Sequence, residues 1–331
     1  MQSVLASYPL LDTTISLTSA FNQFKLDQKL SNYRDPSVQT IANMTAFIQA
    51  LSTENLHDIG FYVAKLNMSP YRILDDANVA IYVPKSRIVV PVCILFRFST
   101  QAAPLVIQSP HLGVDNDQRP TFESFLATNC QIMITNAINS HSSSEHIDGP
   151  KSPFLSDGAH NPKSLFNQTC QAIYHAYPTD VFWQIHGDGS GPGDVRFLTI
   201  VNQNCQQFTQ EFPSICQCLA ESLTDNFPIE YTNDFFLGTQ IFPGLKDGLP
   251  YVLTNFELGK CWFRNYNAAP NTSPQARYIN EGGPDKGKFM HTELSEQFRD
   301  ISPESKIRRE NLYKSVNEAV VKYLASPLPK P

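Results

Sequence analysis

Pro104-Leu105-Val106-Ile107-Gln108-Ser109-Pro110-His111-Leu112-Gly113-Val114-Asp115 is a short apolar strand, stopped by a proline and followed at once by an imidazole and a carboxylate. Pro110 ends the strand because proline has no N–H to give to a β-ladder. Two other stretches repeat the arrangement: Trp183-Gln184-Ile185-His186-Gly187 and Phe289-Met290-His291-Thr292-Glu293-Leu294. In each, a His or an acid ends an apolar, strand-like run or sits within one. Open α/β sheets gather their functional groups at strand ends. The three stretches therefore predict an α/β fold with a polar site where the strands stop.

Outward from these stretches, strands and helices alternate. Residues 19–52 read as helical, with Phe21, Phe24, Leu26 and Leu30 near one face. Pro36 breaks that run, and Asp35-Pro36 starts a second helix through Ile41, Met44, Phe47, Ile48 and Leu51. Residues 60–66 and 77–83 are expected as strands, and 88–98 as a β-rich run cut at Pro91. A helix over 122–130, with Phe125 and Leu126 inward, and a strand over 131–134 follow. Residues 139–163 are rich in Ser, His, Gly, Pro and Asp and form a long loop, which in a compact domain is usually functional or mobile.

Beyond the loop come a helix over 164–177, a strand over 181–186 and a Gly-rich loop over 187–193. That loop lacks the Gly-Lys-Ser/Thr ending of a phosphate loop, and flexibility beside the site is its simpler reading. A strand over 196–201, a helix over 209–223, and short strands over 251–253, 261–263 and 288–294 complete the pattern. Ser302-Pro303 opens a last helix, Ser at the N-cap and Pro in the first turn, with Leu312, Val316, Ala319 and Tyr323 as one apolar stripe. The reading is a mixed, mostly parallel sheet flanked by helices over 86–331, with residues 1–85 as an N-terminal helical and β extension packed on it.

Composition removes several function classes. Of 331 residues 41% are hydrophobic, enough to bury a sizeable core. The net charge of −6 and the absence of a basic cluster beyond Lys306-Ile307-Arg308-Arg309 argue against nucleic acid. No run of 18 apolar residues exists, so no membrane span is expected. No leader is visible, but few Lys and Arg with many Asn, Gln, Ser and Thr lean toward an exported, secreted or periplasmic protein. Sequons at Asn43, Asn67, Asn167 and Asn271 carry information only in a secretory eukaryotic setting. The cysteines number 7, and Cys205 with Cys216 or Cys218 would close a short loop in an oxidising compartment.

The chemistry lies in the His and acid pattern. His111 and Asp115 stand four apart on a loop, and His186 ends a strand with Gly187 leaving room beside it. Two imidazoles and one carboxylate hold a catalytic zinc with a position left for water. Asp117 and Glu123 compete for the carboxylate role; otherwise they are a loop acid and a helix acid. Phe289, His291 and Glu293 share one face of an alternating strand. An acid on a buried face must be paired or functional, so Glu293 is the candidate general base, against a structural ion pair with Arg299 or Arg277. His141, His146 and His160 sit in the long loop, with His160 before a helix as a substrate contact. Arg119, Arg196, Arg264 and Arg277 are candidates for gripping a substrate carboxylate. No Gly-x-Ser-x-Gly, His-Glu-x-x-His or Gly-x-Gly-x-x-Gly motif occurs in its structural context.

Ser-Pro-His with an acid four residues on, Gln-Ile-His-Gly after a strand, and the late His-Thr-Glu-Leu resemble the zinc-dependent amidohydrolase and carboxypeptidase superfamily. The branches of that superfamily that the chain resembles are the N-formylglutamate amidohydrolases and the poly-γ-glutamate hydrolases. The resemblance covers about residues 100–300 and rests on short motifs. It implies a phosphorylase/hydrolase-like α/β fold, with zinc held by His111, Asp115 and His186 and Glu293 as base. It implies hydrolysis of an amide or peptide bond with an Arg gripping a substrate carboxylate; Arg196 and Arg264 are the candidates for that Arg, and the loop residue His160 is a further candidate substrate contact. The chain departs from the His-x-x-Glu of metallocarboxypeptidases in spacing and in having Asp115. That departure keeps open an exported binding protein on a degenerate hydrolase scaffold. Ester or phosphoester hydrolysis at a metal is a third reading.

Overall fold

The computed structural model describes residues 13–16, 19, 33–111, 115, 117–150, 152–187, 198–201, 215–226, 239–246, 249–254, 274–275, 278, 288–294 and 296–327. The chain divides into two compact units, the first of residues 1–114, 129–180 and 273–275, the second of residues 115–128, 181–272 and 276–331.

In the first unit the strands are β1 (Thr14–Ile15), β2 (Met68–Ile73), β3 (Val79–Pro84), β4 (Val92–Arg97), β5 (Ala103–Ser109) and β6 (Cys130–Asn136). Their order is β1-β2-β3-β4-β6-β5. β1 runs parallel to β2 and β5 parallel to β6, whereas β2–β3, β3–β4 and β4–β6 are antiparallel. β4 is buried along its whole length, as its unbroken run Val92-Cys93-Ile94-Leu95-Phe96 requires, because a strand covered on both faces does not alternate. α1 (Val38–Ser52) buries Met44, Phe47, Ile48 and Leu51, and the Phe47 ring meets Tyr82 of β3 edge-on at 5.0 Å. α4 (Leu165–Ala176) starts where Ser164 Oγ accepts from the Asn167 N–H. Asn167 is itself fully buried, so its sequon cannot carry a glycan in the folded chain.

One expectation fails here. Residues 60–66 are not a strand: they lie in α2 (Leu56–Lys65) and its C-cap. Phe61, Tyr62 and Val63 favour strands locally, but Ile59, Val63 and Leu66 recur at helical spacing and are the residues that are buried. Asn55 caps the helix, its side chain accepting from the Asp58 N–H at 3.3 Å. Packing of that stripe outweighs local propensity.

In the second unit β7 (Val181–Gly187) is parallel to β11 (Phe289–Leu294), which is antiparallel to β8 (Leu198–Val201). Trp183 of β7 is fully buried, and its indole N–H donates to Thr292 Oγ1 of β11 at 2.9 Å. β9 (Thr239–Lys246) and β10 (Leu249–Thr254) form a separate antiparallel pair. The helices are α3 (Gln118–Ala127), α5 (Ile215–Asn226), α6 (Glu296–Arg299) and α7 (Pro303–Ala325). α7 begins as expected, with Ser302 capping Ser305 and Pro303 in the first turn, and its stripe of Leu312, Val316, Ala319 and Tyr323 is buried. α7 packs on α5, where Ser315 donates to the Ser222 carbonyl at 3.2 Å. The fold is thus α/β, with strands of mixed direction and helices packed against them. Among the described residues no helix is long and apolar enough to cross a membrane.

Candidate functional site

Within the first unit β5 delivers the chain to His111, directly after Ser109-Pro110. The His111 Nε2 lies 2.9 Å from Asp157 Oδ1, and His160 Nδ1 lies 2.9 Å from Asp157 Oδ2. The Ala159 N–H also donates to Asp157 Oδ1 at 3.0 Å. Burial works to raise the Asp157 carboxyl, but the hydrogen bonds from His111 and His160 override it and hold the group well below the usual carboxylate range. One ligand atom from each of His111, Asp157 and His160 falls within 4.8 Å of the others, a spacing that a metal ion can bridge.

The turn that carries Asp157 and His160 is tightly held. The Asn161 N–H closes onto the Asp157 carbonyl at 2.8 Å, and the Asn161 side chain donates to Leu155 O and to Asp35 Oδ1. Gln275 donates to the Gly158 carbonyl at 2.8 Å. A Cβ on Gly158 would come within 2.9 Å of Asn136 Nδ2. The long loop is therefore anchored here, and His160 is an oriented imidazole. His146 has a scaffolding place in the loop, forming a β-bridge with Phe154 and tilting its ring over that phenyl.

Within the second unit His186 and Gly187 end β7. His186 is buried; its Nε2 lies 3.1 Å from Gln184 Oε1 and its Nδ1 3.3 Å from Asp115 Oδ2. Gln184 Oε1 thus faces Nε2, and the Asp115 carboxylate faces Nδ1. His291 of β11 stacks on the His186 ring at 4.4 Å and 7°. The parallel register sets the Glu293 backbone opposite His186 and that of His291 opposite Gln184.

The main chain at Asp115 is closely approached. The Gly187 N–H donates to Asp115 Oδ2 at 3.3 Å, and Arg299 Nη1 donates to the Asp115 carbonyl. A Cβ on residue 187 would fall 2.1 Å from that same carbonyl oxygen, so only glycine fits.

The structure thus joins Asp115 to His186, and His111 to His160 through Asp157. Arg196 and Arg264 lie outside the described residues, as does Arg277. Arg299, one of the partners expected for Glu293, binds the Asp115 carbonyl. The competing acids have structural duties: Thr121 Oγ1 donates to Asp117 Oδ2 at 3.4 Å, and Glu123 pairs with Arg309 at 2.6 Å. Cys218 holds a free thiol. Sequence reasoning gave no role to Asp157 or Gln184, and it named Gly187 beside His186 and Arg299 near Glu293 without the contacts that both make with Asp115. The Asp157-x-x-His160 and Gln184-x-His186 spacings were available signals. The Arg299 contact spans 184 positions and has none.

No protein-family model matches the chain, and no curated protein matches it in sequence. Solved structures similar to it include a provisionally assigned carboxypeptidase A from Shewanella denitrificans OS-217, at 11% identity and a TM-score of 0.40, covering 81% of this chain and 69% of that one. The thrombin activatable fibrinolysis inhibitor matches at 8% identity and a TM-score of 0.39, over 86% of this chain and 80% of its own. A metallo-carboxypeptidase from Burkholderia cenocepacia matches at 12% and 0.36, over 70% and 61%. The α/β assignment rests on this chain's own strand order and pairing.

Proposed function

We propose that the chain is a zinc-dependent hydrolase of an amide or peptide bond, with the metal held by His111, Asp115 and His186. The observation that carries this reading is the pairing of His186 Nδ1 with the Asp115 carboxylate while Gln184 occupies Nε2. A metal-ligating histidine characteristically donates its second ring N–H to an oxygen acceptor, which fixes the tautomer. His111 has the same kind of partner in Asp157, and it stands four residues before Asp115. Imidazole nitrogen with carboxylate oxygen is a donor set that suits zinc.

Zinc bound there would supply Lewis acidity and an acidified water. The residues of the chain do the rest. Asp157 holds His111 in orientation. Glu293, whose backbone lies opposite His186, takes the proton of the attacking water and returns it to the leaving amine. His160, with Arg196 and Arg264, contacts the substrate. A composition poor in Lys and Arg and rich in Asn, Gln, Ser and Thr supports an exported protein that acts on small amides or peptides.

The test is metal content by elemental mass spectrometry, beside a His111→Ala/His186→Ala double variant. About one zinc per chain, lost in the double variant, is expected for a three-ligand site. The Glu293→Gln variant should keep the zinc and lose turnover of N-acyl amino acids and peptides. Loss of zinc in Glu293→Gln would make Glu293 a ligand or a structural acid. Absence of metal from the wild type, even after zinc is supplied, would end the hydrolase reading and leave a binding protein on the same scaffold.

A further inference from the structure

We propose that Arg299 is a positioning residue of the metal centre, holding the main chain of Asp115 so that its carboxylate stays aimed at His186. The inference rests on the reading of Asp115 as a ligand. Asp115 lies in the connection between β5 and α3, outside any regular element. A carboxylate there has no ladder to fix its backbone. Its carbonyl accepts from Arg299 Nη1, and its carboxylate accepts from the Gly187 N–H.

Arg299 is itself clamped on both sides. Arg309 is fully buried in α7, and its Nη1 donates to the carbonyls of Phe298 at 2.9 Å and Asp300 at 2.7 Å, the residues flanking Arg299. The Arg309 Nε meets Glu123 Oε2 of α3 at 2.6 Å. Two arginines therefore tie the segment around 298–309 to α3: Arg309 at the middle of the helix, Arg299 at the residue two before its N-cap, Asp117. The circuit runs from Glu123 through Arg309 and the carbonyls beside Arg299 to the Asp115 carbonyl. From there it reaches the carboxylate that faces His186. Support behind a ligand commonly sets metal affinity by one to two orders of magnitude. A guanidinium spent on the ligand's backbone carbonyl stiffens the site without competing for the carboxylate oxygens.

The experiment compares full-length wild type, Arg299→Met, Arg299→Lys and Asp115→Asn. Zinc dissociation constants come from competition with a chromophoric chelator, and the visible absorption of Co(II)-loaded protein is recorded beside melting temperatures. Arg299→Met should bind zinc about 10–100-fold more weakly, with an altered Co(II) band. Arg299→Lys, which restores a cationic donor, should recover part of the affinity. Arg299→Gln is measured in parallel and held to the same outcomes should the Met variant fail to fold. Wild-type zinc affinity and an unchanged Co(II) band in Arg299→Met or Arg299→Gln, with affinity lost in Asp115→Asn, would overturn the positioning role and leave the metal site standing. Full affinity in Asp115→Asn would instead remove Asp115 from the ligand set, and the inference with it.

Discussion

Replacing Gly187 by Ala tests the close approach on which the second half of the site depends. The added Cβ would sit 2.1 Å from the Asp115 carbonyl oxygen and 2.9 Å from its carbonyl carbon and Cβ, where ordinary contact begins at 3.4 Å. Backbone lies on both sides of the clash, so no flexible side chain can swing away. Either β7 or the Asp115 peptide must move by roughly 1 Å, which stretches the hydrogen bond from the Gly187 N–H to Asp115 Oδ2. Overpacking of this kind costs about 1–3 kcal/mol. Weakening a hydrogen bond to a charged group adds about 1.5 kcal/mol. The stiffer unfolded chain of Ala returns about 0.4–1 kcal/mol.

The net loss is about 1.5–4 kcal/mol, read as a fall in the urea unfolding midpoint and a melting shift on the order of 5 °C. Because the displaced group is the ligand-bearing peptide, zinc affinity should fall about 10-fold or more. Gly149→Ala is the control. Its φ of +112° strains any side chain, but its Cβ would meet nothing within 4 Å. It should cost about 1–2 kcal/mol through backbone strain and leave zinc affinity untouched. A Gly187→Ala protein that unfolds at the wild-type midpoint and binds zinc as tightly would refute the argument.

Further outcomes follow from buried groups. Arg309→Leu leaves the Phe298 and Asp300 carbonyls and the Glu123 carboxylate without their donor, and should lower stability by about 3 kcal/mol. Glu123, one-third exposed, recovers some hydration and keeps the loss from being larger; a urea midpoint shift worth under about 1 kcal/mol would count against the clamp. Cys93, Cys130, Cys170 and Cys218 are buried free thiols, all pushed up by burial, Cys218 to about 12. A raised thiol pKa keeps the group protonated at pH 8, so a short iodoacetamide pulse on native protein should leave these four peptides unmodified in mass spectra, and the same pulse in urea should label them. Native-state labelling of any of the four would show that its burial is wrongly assigned.

The parts of the fold legible in the chain are those where local chemistry and tertiary packing agree. Ser302-Pro303 announces α7 because a side-chain cap and a fixed φ act within one turn. Residues 181–187 announce β7 because Val181, Phe182, Trp183 and Ile185 are β-branched and aromatic residues that suit a buried, pleated strand. The misreading of residues 60–66 comes from the opposite case. Aromatic and β-branched residues suit a pleated surface, yet Ile59, Val63 and Leu66 are buried on one side of a helix, and long-range burial decided the outcome. The site divides in the same way. His111 and His186 stand out because each follows an apolar strand directly, and Asp157-x-x-His160 is a local turn that a closer reading of the loop had within reach.

Sequence alone determined the α/β class, the strand ends that present His111 and His186, and the loop that carries Asp115, since all of these follow from apolar runs, prolines and spacing within a few residues. Tertiary structure alone decided the partners. Asp157 meets His111 across 46 positions, Asp115 reaches Gly187 across 72, and Arg299 reaches the Asp115 carbonyl across 184. The physical reason is that a hydrogen bond is selected by where folding leaves a donor and an acceptor about 3 Å apart. Burial of the hydrophobic core makes that choice, and no local pattern encodes it.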